Sequence, residues 1–313
     1  MLKVGLVGLG GISGAHVAGW NAAEGAELVA FCDVREEQLA KHQNVNKYSD
    51  FHQMLEEEKL NILDICLPTY LHTQCAFEAM KRGIHVLCEK PISLEESDVA
   101  LLYQAAAKNN VKFMVAQVIR FWPEYMALKE IYETKRYGEL LSGEMERLEA
   151  QPRYSWDSWM SDVKRSGAVS YDLHIHELDY LIYVFGEPEK IDYHRVKRPE
   201  QDYLQAVYSY PAFSIDTEAA WYAADYPFHM SFRFQFEKAV VAYENAKLTV
   251  YLRDGSSFCP LESGAEGFEQ IPRDDGYTNE IRYFASCVRF HQPQDIVKQR
   301  ELETVLKIAK TLE

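Results

Sequence analysis

No two of the six cysteines stand in a C-x-x-C pair; Cys32, Cys66, Cys75, Cys88, Cys259 and Cys287 are scattered along the chain. That absence argues against a zinc site and a disulfide framework, so the thiols are expected to be reduced and mostly buried. No run approaches the ~20 consecutive apolar residues of a membrane span, and the sequence enters a strand-like segment at once, which together point to a cytoplasmic protein. Basic charge is scarce, with 33 Lys and Arg against 48 Asp and Glu and a net charge of −15. A strongly acidic surface repels phosphate backbones and anionic lipid, so neither nucleic acid nor a membrane is expected as a partner, whereas a small neutral molecule is compatible. Repeats, low-complexity segments and an obvious flexible linker are also missing. A chain of 313 residues is long enough for two domains, each with its own core.

What is present begins with the apolar run Lys3-Val4-Gly5-Leu6-Val7, which passes directly into Gly8-Leu9-Gly10-Gly11-Ile12-Ser13-Gly14-Ala15-His16 and a helix-compatible stretch. This is the context a dinucleotide-binding turn requires. Gly8 permits the tight turn, Gly10 lets backbone approach a pyrophosphate, Gly11 and Ile12 continue the turn, and the helix N-terminus offers unpaired N–H groups. Ser13 stands where the third glycine is expected, which predicts slightly looser packing of helix on strand. A second apolar run, 27–32, ends in Asp33, about twenty residues past the glycines, where an acid binds ribose hydroxyls. That acid points to NAD; Arg35, two residues on, is placed to screen a 2′-phosphate, so NADP stays open.

Apolar runs at 3–7, 27–32, 62–67, 84–88 and 111–118 alternate with helical stretches at 71–82 and 94–109, the latter with Ser93 as its expected N-cap and Glu96 three residues on. That order predicts a parallel, doubly wound sheet. Beyond about residue 138 the runs 214–221, 230–236 and 247–252 alternate and are rich in Tyr, Phe, Thr and Val, which predicts a large, mostly antiparallel, open-faced sheet in an α+β domain. The stretches 278–290 and 298–312 read as amphipathic helices. The expected division is residues 1–120 and 121–313, with the C-terminal helix able to pack back on the first domain.

Two clusters carry chemistry. Cys88-Glu89-Lys90-Pro91 closes the run 84–87 and puts Lys90 where an α/β sheet presents groups to a ligand. The second cluster is Asp172-Leu173-His174-Ile175-His176-Glu177-Leu178-Asp179. On a helix, Asp172, His176 and Asp179 share a stripe, an arrangement suited to a general base whose tautomer a carboxylate fixes. Two other readings stand beside it: a metal site using His174, His176 and Asp179, which their opposed directions on a helix disfavour, and a hydrogen-bonded structural cluster.

The glycine turn followed by His16, the segment Leu67-Pro68-Thr69-Tyr70-Leu71-His72, the triplet Glu89-Lys90-Pro91 and the Asp172, His176, Asp179 pattern together resemble the Gfo/Idh/MocA family of oxidoreductases, over nearly the whole chain. The resemblance implies a Rossmann N-terminal domain, NAD or NADP as cofactor, a sugar, cyclitol or related polyol as substrate, and a homodimer or homotetramer formed through the open sheet. It makes Lys90 and His176 the catalytic pair with Asp172 beside them. It places Pro68, Thr69, His72 and Glu89 along the cofactor, and the Lys90–Pro91 bond as a candidate cis peptide. The chain departs from the family pattern at Ser13, at His174, where a small residue is usual and a histidine would narrow the pocket, and at Gln117-Val118-Ile119-Arg120-Phe121-Trp122-Pro123, a segment that would face the nicotinamide. Arg120 has two readings, substrate oxygens or an ion pair between domains. Trp122 and Asp179 join it as substrate candidates, and Trp156 and Trp159 either stack on a sugar face at the pocket mouth or belong to the core.

Charge development suggests the roles. Oxidising a secondary alcohol removes a proton and a hydride from adjacent atoms, so His176 is the expected base and the Lys90 ammonium the expected stabiliser of alkoxide character. The alternative is a cofactor-binding ligand sensor without significant turnover.

Overall fold

The computed structural model describes residues 1–262 and 264–313. Strands β1 (Leu2–Val7), β2 (Ala26–Cys32), β3 (Asn46–Tyr48), β4 (Ile62–Ile65), β5 (His85–Glu89) and β6 (Phe113–Ala116) form one parallel sheet in the order β3-β2-β1-β4-β5-β6. Helices α1 (Ser13–Ala22), α2 (Glu36–Leu39), α3 (Phe51–Glu57), α4 (Thr69–Lys81) and α5 (Glu96–Lys108) alternate with them. Every residue of β4 and β6 is buried, as continuous apolar strands between helical layers must be. All five expected strands are present within a few residues. Strand β3 was not foreseen, because Asn-Lys-Tyr has neither length nor apolar alternation. Helix α5 also starts later than expected: Glu95 precedes its first residue without a side-chain capping bond, while Ser93 Oγ donates to Asp98 at 2.6 Å and accepts the Glu95 N–H at 3.1 Å.

The sheet order reverses at β1 and β4, and a crevice opens beyond their carboxyl ends. Gly8 is what lets the two strand ends meet there. Its φ is +90°, and a Cβ would lie 2.5 Å from the Cys66 carbonyl oxygen, an approach no other residue allows.

The second half runs through α6 (Pro123–Glu133), β7 (Leu140–Ala150), α7 (Val163–Ser166), α8 (Val169–Asp172) and α9 (His174–Phe185). It continues as β8 (Lys190–Arg198), β9 (Gln201–Ser209), β10 (Ser214–Tyr222), β11 (His229–Phe236), β12 (Ala239–Glu244), β13 (Lys247–Leu252) and β14 (Ser257–Phe258). The eight strands are ordered β14-β13-β12-β11-β7-β10-β9-β8, antiparallel except where β10 pairs with β7. Period-two alternation turns Leu204, Thr217 and Phe232 inward and leaves Glu144, Asp216 and Arg233 on an outward face that this chain does not cover. Helices α10 (Gly276–Arg289) and α11 (Gln299–Thr311) then return to the first half, α10 against α1 and α11 between α5 and α9.

One buried charge cluster fastens these layers and decides between the two readings of Arg120. Its guanidinium, fully buried, donates from Nε and Nη2 to Asp179 at 2.7 and 2.6 Å, and from Nη1 to the Ile296 carbonyl at 2.7 Å and Glu301 at 2.5 Å. It therefore ties the chain just after β6 to α9 and to the start of α11. Neither Arg120 nor Asp179 lines a ligand cavity, so both leave the substrate set; the fork geometry of guanidinium on carboxylate explains why the pair is structural. Arg120→Ala strands the Asp179 carboxylate in the interior and is expected to cost about 3–5 kcal/mol in urea unfolding. Arg120→Met with Asp179→Leu should recover much of that loss, and an unfolding midpoint unmoved by Arg120→Ala would refute this role.

Candidate active site

A cavity of about 780 Å³ runs along the crevice, lined from both halves of the chain. Gly8, Gly10, Gly11 and Ile12 form one end. Nothing lies within 4 Å of where a Cβ would sit on Gly10 or Gly11, so the turn presents bare backbone to open space at the start of α1. The buried Ser13 side chain closes the turn by donating to the Gly10 carbonyl at 2.7 Å.

Asp33, at the end of β2, accepts the Leu9 N–H at 2.7 Å and a bidentate pair from Arg35 Nε and Nη2 at 2.9 and 2.8 Å. Burial works against its charge, but the Arg35 guanidinium and the Arg35 and Leu9 N–H groups outweigh it and hold the carboxyl below its ordinary range. Bare glycine backbone, a helix N-terminus and an ionised acid at this distance along the sheet fit the pyrophosphate and ribose of a dinucleotide. Because Arg35 neutralises Asp33, the repulsion an unpaired acid would exert on a 2′-phosphate is reduced.

Pro68, Thr69 and Glu89 also line the cavity. His72 does not. Its ring nitrogens lie 2.8 Å from the Pro91 carbonyl and 2.6 Å from the Leu67 carbonyl, so it ties together the two loops that carry Pro68 and Lys90. Gln117 is likewise buried behind the wall, and its neighbour Val118 reaches the cavity in its place.

At the other end, Lys90 Nζ donates to the Asp172 carbonyl at 2.7 Å and to Asp172 Oδ1 at 3.1 Å, joining the end of β5 to the end of α8. The Lys90–Pro91 bond is cis, as expected. His176 lies on the same wall. Leu173, between α8 and α9, keeps helical dihedrals, so the four-residue spacing does bring Asp172 and His176 to one side. The expected stripe of carboxylate, imidazole and carboxylate is nevertheless not formed, because Asp172 is taken by Lys90 and Asp179 by Arg120. His176 Nδ1 is buried without a partner, which leaves Nε2 as the nitrogen that reaches the cavity. Burial, then the charges of Lys90 and Arg147, push this imidazole well below its ordinary range, so it is neutral at pH 7.

His174 is buried away from the cavity with Nε2 2.7 Å from the Tyr208 hydroxyl, so it neither narrows the pocket nor contacts substrate. His174, His176 and Asp179 thus face three different surroundings and do not form a ligand set. Trp122 leaves the substrate set too, since it packs on Gly276 and edge-on to Tyr277, ring centroids 6.3 Å apart. Trp156 and Trp159 do line the cavity, and Trp156 remains 45% exposed, which fits a stacking surface better than a core residue.

Two groups near the site were not anticipated. Tyr277 reaches the cavity from α10, and nothing in its local sequence marks it. Glu149 lies on β7, two residues beyond Arg147, whose Nε donates to Glu177 on α9 at 2.8 Å, so strand alternation turns Glu149 to the same inner face. Burial, then the nearby Asp172 carboxylate, push the Glu149 carboxyl up to about 7. The alternation of β7 was the available signal, but its register was not.

A family model described as "Oxidoreductase family, NAD-binding Rossmann fold" (GFO_IDH_MocA) matches residues 2–117, and one described as "GFO/IDH/MocA C-terminal domain" matches residues 125–242. The chain is 28% identical over 190 residues to a myo-inositol 2-dehydrogenase of Thermotoga maritima, a match covering 59% of this chain and 55% of that protein. It is 27% identical over 193 residues to a D-apiose dehydrogenase of Paraburkholderia graminis, covering 60% and 51%. The chain thus spans about half the length of the curated relatives it matches. Among solved structures, the scyllo-inositol dehydrogenase of Lactobacillus casei with bound NAD(H) and scyllo-inositol superposes with a TM-score of 0.78 at 20% identity, covering 100% of this chain and 96% of that one. An oxidoreductase from Agrobacterium radiobacter in complex with NAD+, L-tartaric acid and magnesium gives 0.80 at 16% identity, covering 99% and 94%. At these identities the superpositions establish the fold.

Glu149 makes the site's charge felt in stability. Between its ordinary value and about 7 the folded chain keeps a proton that the unfolded chain has lost, so this group's contribution falls as pH rises through that window. Glu149→Gln removes the penalty. It is expected to raise stability by about 1–2 kcal/mol at pH 8, after discounting for partial solvation, and to have no such effect at pH 4. Paired urea titrations at the two pH values check this, and an equal effect at both would exclude a carboxyl held protonated.

Proposed function

The chain belongs to the GFO/IDH/MocA oxidoreductase family, and from that premise we propose that it transfers a hydride between the nicotinamide of NAD and a secondary alcohol or ketone of a sugar, cyclitol or related polyol. The observation that carries the reading is the meeting of the Lys90 ammonium with Asp172, beside a neutral His176, in the same cavity as the glycine turn and Asp33. NAD, when bound, supplies the hydride acceptor. The chain's own groups handle the proton. Lys90 donates an N–H toward the substrate oxygen and stabilises negative charge as the O–H bond breaks. His176 Nε2 takes the released proton, and the Asp172 carboxylate offsets the positive charge that then builds between imidazole and ammonium. Trp156 and Trp159 cover the substrate's apolar face and limit water. Arg35, by offsetting Asp33, lets NADP serve as a second cofactor.

We further propose that the outward face of the eight-stranded sheet forms a homodimer or homotetramer interface. A monomer in analytical ultracentrifugation at micromolar concentration would exclude that.

Lys90→Ala and His176→Ala are each expected to lower kcat by about 10²–10⁴-fold on whichever polyol reduces NAD at 340 nm, while calorimetry shows NAD binding within a few-fold of the parent. Loss of NAD binding in both variants would refute this division of roles. Tight NAD binding without turnover across inositols, aldoses, sugar acids and amino sugars would instead make the chain a ligand sensor.

A further inference from the structure

A second cluster of ionisable groups lies under the strand end that carries Lys90. His16, in the first turns of α1, has Nδ1 2.8 Å from Asp64 Oδ2 and Nε2 2.9 Å from Glu89 Oε1. The His16 and Asp64 side chains are wholly buried and that of Glu89 nearly so. Trp20 Nε1 donates to the same Asp64 oxygen at 2.6 Å. An imidazole with a carboxylate on each side satisfies both only when both ring nitrogens carry hydrogen. Burial opposes that charge, but Asp64, helped by Cys66, outweighs it and keeps the ring well above its ordinary range. A doubly protonated ring has no lone pair for a metal, and burial pushes the adjacent Cys66 thiol up to about 12, so the imidazole and the thiol both keep their protons. From α10, the Tyr277 ring lies 6.0 Å from His16. Glu280 also comes from α10; it is buried with neither oxygen partnered, and burial pushes it well up, so it adds no charge.

A contact of Glu89 leads from the cluster to Lys90. Glu89, whose Oε1 faces His16, accepts the Lys90 backbone N–H on Oε2 at 3.1 Å. We infer that the Asp64–His16–Glu89 triad is a positioning device for Lys90, fixing the strand end from which the ammonium reaches Asp172. The Glu89 carboxylate is clamped from behind by a charge and in front holds the amide of the residue on which the proposed chemistry depends. A neutral side chain at 16 leaves Glu89 free to turn, and the Lys90 backbone turns with it. The consequence for turnover rests on the oxidoreductase reading; the consequence for Lys90 itself does not.

The test therefore has two readouts on the full chain. In competitive acetylation followed by mass spectrometry, which needs no substrate, His16→Gln is expected to raise Lys90 labelling about 10-fold relative to Lys41 and Lys190, with circular dichroism and NAD affinity retained. On an active substrate the same variant should lower kcat on the order of 10²-fold with little change in KM, and Glu89→Gln should reproduce both effects. Unchanged Lys90 labelling in either folded variant overturns the inference. Should His16→Gln fail to fold, ¹⁵N NMR of the parent imidazole decides the premise: two protonated nitrogens up to pH 8 support it, and a ring carrying one proton at pH 7 overturns it.

Discussion

The contact between Lys90 and Asp172 is the constraint on which the site depends. One partner ends a strand of the parallel sheet and the other ends a short helix of the second half, 82 positions along the chain. Neither half alone contains the cavity. The glycine turn and Asp33 can build a nucleotide crevice without help, but the face where an alcohol would lie requires α8 and α9 to come within reach of β5. Most of what surrounds that contact serves to keep the two ends where they are.

The two halves hold position by different means. In the first, contacts made to the backbone do the work: Gly8 brings β1 and β4 together, the Ser13 hydroxyl closes the turn onto Gly10, and the His72 ring bridges the Leu67 and Pro91 carbonyls. In the second, buried arginines do it. Arg120 with Asp179 and Arg147 with Glu177 each join α9 to a separate layer, and Arg195, paired with Asp202 on the neighbouring strand, reaches Ser170 of α8 and the Leu312 carbonyl. Such pairs add little net stability over a well-packed apolar core, but they make a wrong arrangement costly, because any slip leaves a buried charge alone. That specificity suits helices that must deliver Asp172 and His176 to a cleft from a distance.

The parallel sheet was legible in the sequence because both of its signals are local: continuous apolar runs, and glycines followed at a fixed distance by an acid. Lys90 was legible from its place at a strand end, Asp172 and His176 from their helical spacing, and the pairing of Lys90 with His176 through the family resemblance. Spacing could not say which partner each would take. Asp172 and Asp179 both flank His176 at helical intervals, yet each is claimed by a cation from elsewhere in the chain, and a sequence stripe holds no record of what packs across from it. The same blindness explains Arg120 and His174, polar residues near the site in sequence that turn into the core, and Tyr277 and Glu149, which come close to it from 101 and 27 positions away from His176. Ser93 failed as a cap for a different reason: its hydroxyl found Asp98, and the helix began where that bond allowed.

Strand β7 lies at the centre of the second sheet, and its alternation separates two kinds of residue by the width of one peptide. Arg147, bonded to Glu177 of α9, and Glu149 lie on the inner face, while Glu144 and Glu146 lie on the opposite one. A change at Glu149 can therefore alter the charge felt at Asp172 without touching the opposite face, and a change at Glu144 or Glu146 can do the reverse. The electrostatics beside the cleft and the character of the outer face can thus vary independently along one strand.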